Sequence, residues 1–206
     1  MIEIGCEQRS EVWFACRLGI ATASGFSKVM TSKFEISAQR AEYGIELATE
    51  RITGKRVETH INPAMQHGID YEDEAALCYS MDSGEDVREV GFCYFDDRRR
   101  FGVSPDRMVG EDGILEIKCP QPKTLLKFQK DGKLPTRYIQ QIYGQLLVTG
   151  RDWCDFFAYH PAEEFRPFQI RIEKDDDKQN KVLRNLNRFA DEVDRLTNFL
   201  KENANG

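Results

Sequence analysis

Two short stretches constrain this chain more than any others: Ser104-Pro105-Asp106, then Glu116-Ile117-Lys118 ten residues beyond the aspartate. Glycines punctuate the surroundings. The run Gly113-Ile114-Leu115-Glu116-Ile117-Lys118-Cys119 alternates as a β-strand does. Successive side chains of a strand point to opposite faces. Ile114, Glu116 and Lys118 therefore share one face, and Leu115, Ile117 and Cys119 the other. A hairpin with the preceding stretch, Arg100 to Ser104, would bring Asp106 alongside the carboxylate and the ammonium.

Two carboxylates held close together repel each other unless a divalent cation lies between them. Carboxylate and backbone oxygens are the ligands a hard ion such as Mg2+ prefers. Such an ion polarises a scissile phosphate, acidifies a bound water and stabilises the leaving oxygen. A lysine on the same face could hold that water, or take its proton if a nearby metal charge favoured the neutral amine. The pattern thus suits phosphodiester hydrolysis. A surface salt bridge on an ordinary strand is the plainer reading of Glu-x-Lys alone.

Composition sets the frame. The 206 residues suffice for one sizeable domain, here 1–206, and 40% hydrophobic with 31% charged residues is an ordinary globular mixture. No apolar run approaches membrane-spanning length, and the N-terminus lacks the basic and apolar regions of an export signal. Cys6, Cys16, Cys78, Cys93, Cys119 and Cys154 are scattered without a Cys-x-x-Cys pair, so they read as free thiols of a cytoplasmic protein. The net charge of −6 is unevenly spread. Residues 70–89 hold eight acids against Arg88, whereas Lys123, Lys127, Lys130, Lys133 and Arg137 stand against Asp131 alone. Positive charge therefore gathers beside the proposed centre, where it could hold phosphates.

Taken in order, 8–18 predicts a helix capped by Ser10, and Thr22 and Ser24 can cap a second over about 25–31. A helix N-terminus with free amides and hydroxyls beside Arg17 is a ready phosphate site. A third helix spans 37–53, from Ser37 to Gly54, and Lys55–Ile61 reads as a loop. Pro63 opens a fourth that Gly84 closes, with Met65, Ile69, Ala76 and Tyr79 as its apolar stripe. Glu72 falls within that stripe, a costly position unless charged or hydrogen-bonded partners meet it. A strand over 87–95 precedes the hairpin. A basic helix at 123–131 and a helix at 137–149, capped by Thr136, follow it. Tyr138, Gln141 and Gln145 share a stripe of that last helix that could line a cleft. Strands at 152–160 and 166–173 lead to a long amphipathic helix over 177–202. His60, His67 and His160 do not form a ligand set.

Five blocks now stand in sequence: Arg17 to Ser24, Gly68 through Tyr71-Glu72, Ser104-Pro105-Asp106, Leu115 to Pro120, and Tyr138 through Gln141 with Val148-Thr149. In this order they resemble the phage lambda exonuclease family, the viral-recombinase alkaline exonucleases of the PD-(D/E)xK nuclease superfamily. The resemblance covers roughly residues 8–160. It implies an α/β fold with a central mixed sheet flanked by helices, the restriction-endonuclease-like core. It implies an enzyme that uses Mg2+, with Mn2+ able to replace it and two ions per site. That enzyme would digest one strand of linear duplex DNA from its 5′ end to mononucleotides and leave a 3′ overhang. Asp106 and Glu116 match the metal-binding carboxylates, and Ile117 would supply a backbone oxygen. Lys118 matches the catalytic lysine, Glu72 a further acidic residue, and Gln141 with Tyr138 the helix bordering the site. Arg17 and Ser24 match a pocket for the terminal 5′-phosphate, and Lys123 and Lys127 are expected to contact DNA. The resemblance also implies a homotrimeric ring and a single-strand annealing protein as partner, with no membrane.

His67 stands where an aromatic residue would be expected in the family, and the helix after Pro161 matches no family motif. Two rival readings stay open: an endonuclease on the same fold, and a DNA-binding module without catalysis.

Overall fold

In a computed structural model, residues 1–57 and 62–204 are described. The N-terminal part comprises β1 (Ile2–Ile4), α1 (Glu11–Arg17), β2 (Ala21–Thr22), α2 (Phe26–Val29), α3 (Arg40–Thr53) and α4 (Pro63–Ser83). The central part follows with β3 (Val87–Arg88), β4 (Phe92–Tyr94), β5 (Phe101–Val103), β6 (Arg107–Val109) and β7 (Gly113–Lys118). The chain continues through α5 (Pro122–Asp131), α6 (Ile139–Thr149), β8 (Trp153–Ala158), β9 (Phe168–Glu173) and α7 (Asp176–Ala204).

The expected mixed α/β architecture is present, with its strands divided between two sheets. One runs β1-β4-β5-β2, and the other β3-β6-β7-β8-β9. β7 and β8 are parallel, in register from Gly113 opposite Trp153 to Lys118 opposite Ala158, and α5 and α6 form the crossover between them. β6 and β9 pair antiparallel to their neighbours. One side of this sheet packs Ile114, Cys154, Phe156 and Ala158 into the main core with α6 and α7. The other packs Leu115, Ile117 and Phe157 against Ala75, Ala76 and Tyr79 of α4. Ser104-Pro105-Asp106 is the passage from β5, in the first sheet, to β6, in the second.

Local chemistry accounts for the boundaries. The Ser10 hydroxyl accepts the Trp13 N–H at the start of α1. Asn62 caps α4, Pro63 opens it, and Gly84 ends it at φ 70°. Several expectations are corrected. The helix expected at 25–31 is a 3-10 turn, Ala23–Gly25, followed by α2, and Thr22 caps neither. α3 starts at Arg40 instead of 37, because Ser37 forms a turn ahead of it, receiving the N–H groups of Gln39 and Arg40. α6 starts at Ile139, after a 3-10 turn at Thr136–Tyr138, with no cap from Thr136. On α4, Met65 is exposed, and the buried stripe is Ala75, Ala76 and Tyr79.

The strand expected over 87–95 is broken. β3 joins one sheet and β4 the other, and the chain crosses between them at Gly91. A Cβ there would run into the backbone of Ile4 and Cys6, so only glycine lets β1 approach. The loop expected at Lys55–Ile61 is described only as far as Val57, and His60 lies outside the described residues. Cys93, Cys119 and Cys154 are buried, Cys6, Cys16 and Cys78 are half-buried, and all six are free. Among the described residues no helix is long and apolar enough to cross a membrane.

Two contacts hold the helices that flank the site. Gly144 of α6 lies against the Phe26 ring, where a Cβ would collide. On the other face, Tyr79 of α4 donates its hydroxyl to buried Asp155 of β8 at 2.7 Å. Arg171 donates to both Asp155 oxygens at 2.8 Å, and Gln169 donates at 3.0 Å. Removing one partner of a buried pair costs about 3 kcal/mol or more. Asp155→Ala should therefore lower the unfolding free energy in urea by about 3 kcal/mol. A loss under about 1 kcal/mol would place the anchoring of α4 elsewhere.

Candidate active site

Glu116 is fully buried, and both of its oxygens are engaged. Oε1 receives the Lys118 ammonium and the Gln141 amide, the latter at 2.5 Å, and Oε2 receives the Gln145 amide at 2.7 Å. The two glutamines lie one turn apart on α6, so one helix face delivers both donors. Gln145 is completely buried, and its Oε1 has no partner. The sequence put Gln145 on the right stripe without a role. The signal was a second amide one turn beyond Gln141.

Asp106 lies beside this cluster, its Oδ2 accepting the Ile117 N–H at 2.6 Å. Burial, then the Glu116 charge, push its carboxyl well above the usual carboxylate range. Burial opposes the charge on Lys118, but Glu116 and Asp106 outweigh it and hold the ammonium above the ordinary lysine range. Lys118 also donates to the Ile117 carbonyl at 2.9 Å.

Asp106, Glu116, Ile117 and Lys118 line a cavity of about 610 Å³ together with Arg9, Arg17, Ser24, Glu72, Arg137, Tyr138 and Gln141. Glu72 faces it from α4, each oxygen on an arginine: Oε2 on Arg9 at 2.5 Å and Oε1 on Arg107 at 3.5 Å. Those cations resolve the cost of a carboxylate on a packed helix stripe. Arg107, nearly buried, also donates to the Asp106 carbonyl at 2.6 Å and ties α4 to the Asp106 segment. Neither arginine was singled out from the sequence, since Arg9 is 63 residues from Glu72.

At another edge of the cavity, the Arg17 guanidinium lies 4.0 Å from the Trp13 ring centroid. It reaches the Thr22 and Ser24 hydroxyls at 3.3 and 3.4 Å, and its buried Nε has no partner. Burial, then Arg56, bring its pKa down to about 10, so it stays charged at neutral pH. The Trp13 indole donates to Ser104 at 2.9 Å, and Gln8 donates to the carbonyls of Val90 and Pro105, both at 2.9 Å. α1 and the segment before it thus brace the turn that carries Asp106. Tyr138 packs on Phe156, with Lys118 Nζ 5.6 Å from its ring. Lys123 and Lys127 are exposed on α5 and stand outside the cavity lining. The His67 and His160 rings lie 5.8 Å apart, and neither lines the cavity.

The donors suit a hard divalent cation. Glu116 and the Ile117 carbonyl already share one positive charge, that of Lys118, and Asp106 adds an oxygen whose ionisation is held back by burial and by the neighbouring carboxylate. Among the described residues no three His, Cys, Asp or Glu side chains converge as a ligand group. Any such ion would take two carboxylates and a carbonyl from the protein, with Glu72 turned to its arginines.

Comparison with known proteins places this geometry. The YqaJ-like viral recombinase domain matches residues 12–152. The chain is 38% identical to the alkaline exonuclease LHK-Exo from Laribacter hongkongensis, covering 95% of this chain and 98% of that one with a TM-score of 0.86. The complex of LHK-Exo with dAMP gives a TM-score of 0.87 over the same shares. A phage-related exonuclease of Haemophilus somnus, 14% identical, shares the fold at a TM-score of 0.66, over 88% of this chain and 96% of that one. An uncharacterized protein of Acanthamoeba polyphaga mimivirus is 27% identical over 165 residues. That match takes in 73% of this chain but spans only 28% of the viral protein.

A raised carboxyl pKa has a consequence for stability. The folded state binds the Asp106 proton more tightly than the unfolded chain, so wild type loses stability as pH rises from the ordinary carboxylate range through the raised folded value. Asp106→Asn should therefore be more stable than wild type at neutral pH without divalent ions, and equal to it below about pH 4. Thermal melts in EDTA across pH check this. A variant less stable than wild type at neutral pH would contradict it.

Proposed function

The chain belongs to the YqaJ-like viral recombinase domain family, and from that membership we propose that it is a 5′→3′ exonuclease of linear double-stranded DNA. Membership bears out the resemblance to the lambda exonuclease family carried by the five sequence blocks. The observation that carries the activity is the convergence of Asp106, Glu116, the Ile117 carbonyl, Lys118 and Gln141 in one cavity, with Arg17 and Ser24 at its edge.

Asp106, Glu116 and the Ile117 carbonyl would hold Mg2+, with Mn2+ as a substitute and two ions per site. When bound, such ions supply charge to the scissile phosphate and acidify water. Lys118 orients that water from the same face of β7. Gln141, with Gln145 behind it, fixes the Glu116 carboxylate and leaves its charge in place. Glu72 contributes a further negative group from α4. Arg17, charged and stacked on Trp13, grips a terminal 5′-phosphate with the Ser24 hydroxyl. Tyr138 borders the scissile nucleotide, and Lys123 and Lys127 attract the duplex from the exposed face of α5. Mononucleotides leave, and the 3′ overhang passes to a single-strand annealing protein. A homotrimer would keep the enzyme on its DNA.

An end-labelled linear duplex with Mg2+ tests the polarity: the 5′ label should leave first, as mononucleotide, while closed circular DNA stays intact. Release of the 3′ label first, or nicking of the circle, would overturn it. Asp106→Ala and Lys118→Ala should each abolish hydrolysis without unfolding, and appreciable residual activity in either would count against these roles. Arg17→Ala should erase the preference for 5′-phosphorylated over 5′-hydroxyl ends. Equal loss on both ends would remove Arg17 from the phosphate pocket.

A further inference from the structure

Four cations line the cavity: Arg9, Arg17, Lys118 and Arg137. Arg9 is paired with Glu72, Lys118 with Glu116, and Arg17 rests on two hydroxyls. Arg137 is different. Among the described residues it has no ion pair and no hydrogen bond, and its guanidinium is held by rings alone. It lies 4.7 Å from the Tyr138 centroid and 5.6 Å from that of Phe128. Stacking orients a guanidinium without consuming its donors, so all five N–H groups remain available to an anion.

Its position relative to Arg17 follows from contacts. Arg17 stacks on Trp13, and Trp13 donates to Ser104, two residues before Asp106. Asp106 accepts from Ile117, whose neighbour Lys118 approaches the Tyr138 ring that also carries Arg137. The two arginines are thus joined by a chain of contacts that runs past the carboxylates, and both line the one cavity. Resting on the exonuclease reading, we propose that Arg137 binds a backbone phosphate of the digested strand other than the terminal phosphate held in the Arg17 pocket. The strand would then be held by two cations of the same cavity, each on its own phosphate. Arg137 would carry affinity, and Arg17 the recognition of the terminus.

The test is anisotropy of a duplex labelled at its 3′ end, titrated with wild type, Arg137→Ala, Arg137→Lys and the exposed-lysine control Lys33→Ala, in EDTA over a series of salt concentrations. One lost phosphate contact lowers the slope of log affinity against log salt by about 0.9. Arg137→Ala should show that decrease with about tenfold weaker binding. It should also keep the wild-type ratio for 5′-phosphate over 5′-hydroxyl ends. Arg137→Lys should keep the slope, and the control should match wild type. Unchanged affinity and slope in Arg137→Ala would overturn the inference alone, as would weaker binding at unchanged slope, which marks a packing role. Loss of the 5′-phosphate preference would assign Arg137 to the terminal pocket and also overturn it. Wild type that binds no duplex would instead overturn the exonuclease reading itself.

Discussion

A carboxylate sealed from solvent is the constraint around which the molecule is built. Glu116 sits in a strand paired on both sides, and in that buried position an ionised group is tolerable only if each oxygen is met. Lys118 meets it from the same strand, and Gln141 and Gln145 from α6. That requirement fixes the rotation of α6, the height at which it crosses the sheet, and the direction of the lysine. The site is thus a by-product of solving a burial problem, and a donor set already arranged around negative charge is well prepared to exchange one cation for another.

Asp106 is positioned by a different device. It follows a strand of one sheet and precedes a strand of the other, so its backbone belongs fully to neither. Gln8 and Trp13 brace this joint from the N-terminal segment, and Arg107 of β6 ties it to Glu72 and Asp73 of α4. The far end of the chain adds its own clamps. Arg40 pairs with Glu192, Arg51 with Asp194, and Arg100 with Asp191, all on α7. Segments from both ends of the chain thereby pack around its middle, where Asp106, Glu116 and Lys118 line the cavity.

Much of this was legible from the residues, and the physical reason is locality. Pro63 and Gly84 delimit α4, alternation marks β7, and Glu116 and Lys118 share a face because the pleat leaves no alternative. What escaped depends on pairing between distant segments. β1 carries no pattern longer than three residues, and its existence depends on β4 and on the missing side chain of Gly91. The run over 87–95 looks continuous because each half is strand-like, but the halves enter different sheets. Thr22 and Ser24 resemble helix caps, while their hydroxyls lie on Arg17. The arginines that neutralise Glu72 could not be read at all, since a charge on one segment announces nothing about which carboxylate it will meet.

The contact between Gly144 and the Phe26 ring draws these threads together. Gly144 stands directly before Gln145 and three residues after Gln141, and Phe26 follows closely on the segment that carries Ser24. The two amides on Glu116 and the hydroxyl beside Arg17 are therefore referenced to a single point of closest approach. A methyl group there would push the helix outward, and both amides would withdraw from the carboxylate together as the hydroxyl shifted beneath its arginine. The alignment of the amides on Glu116 with the hydroxyl beside Arg17 is gauged by an atom the chain omits.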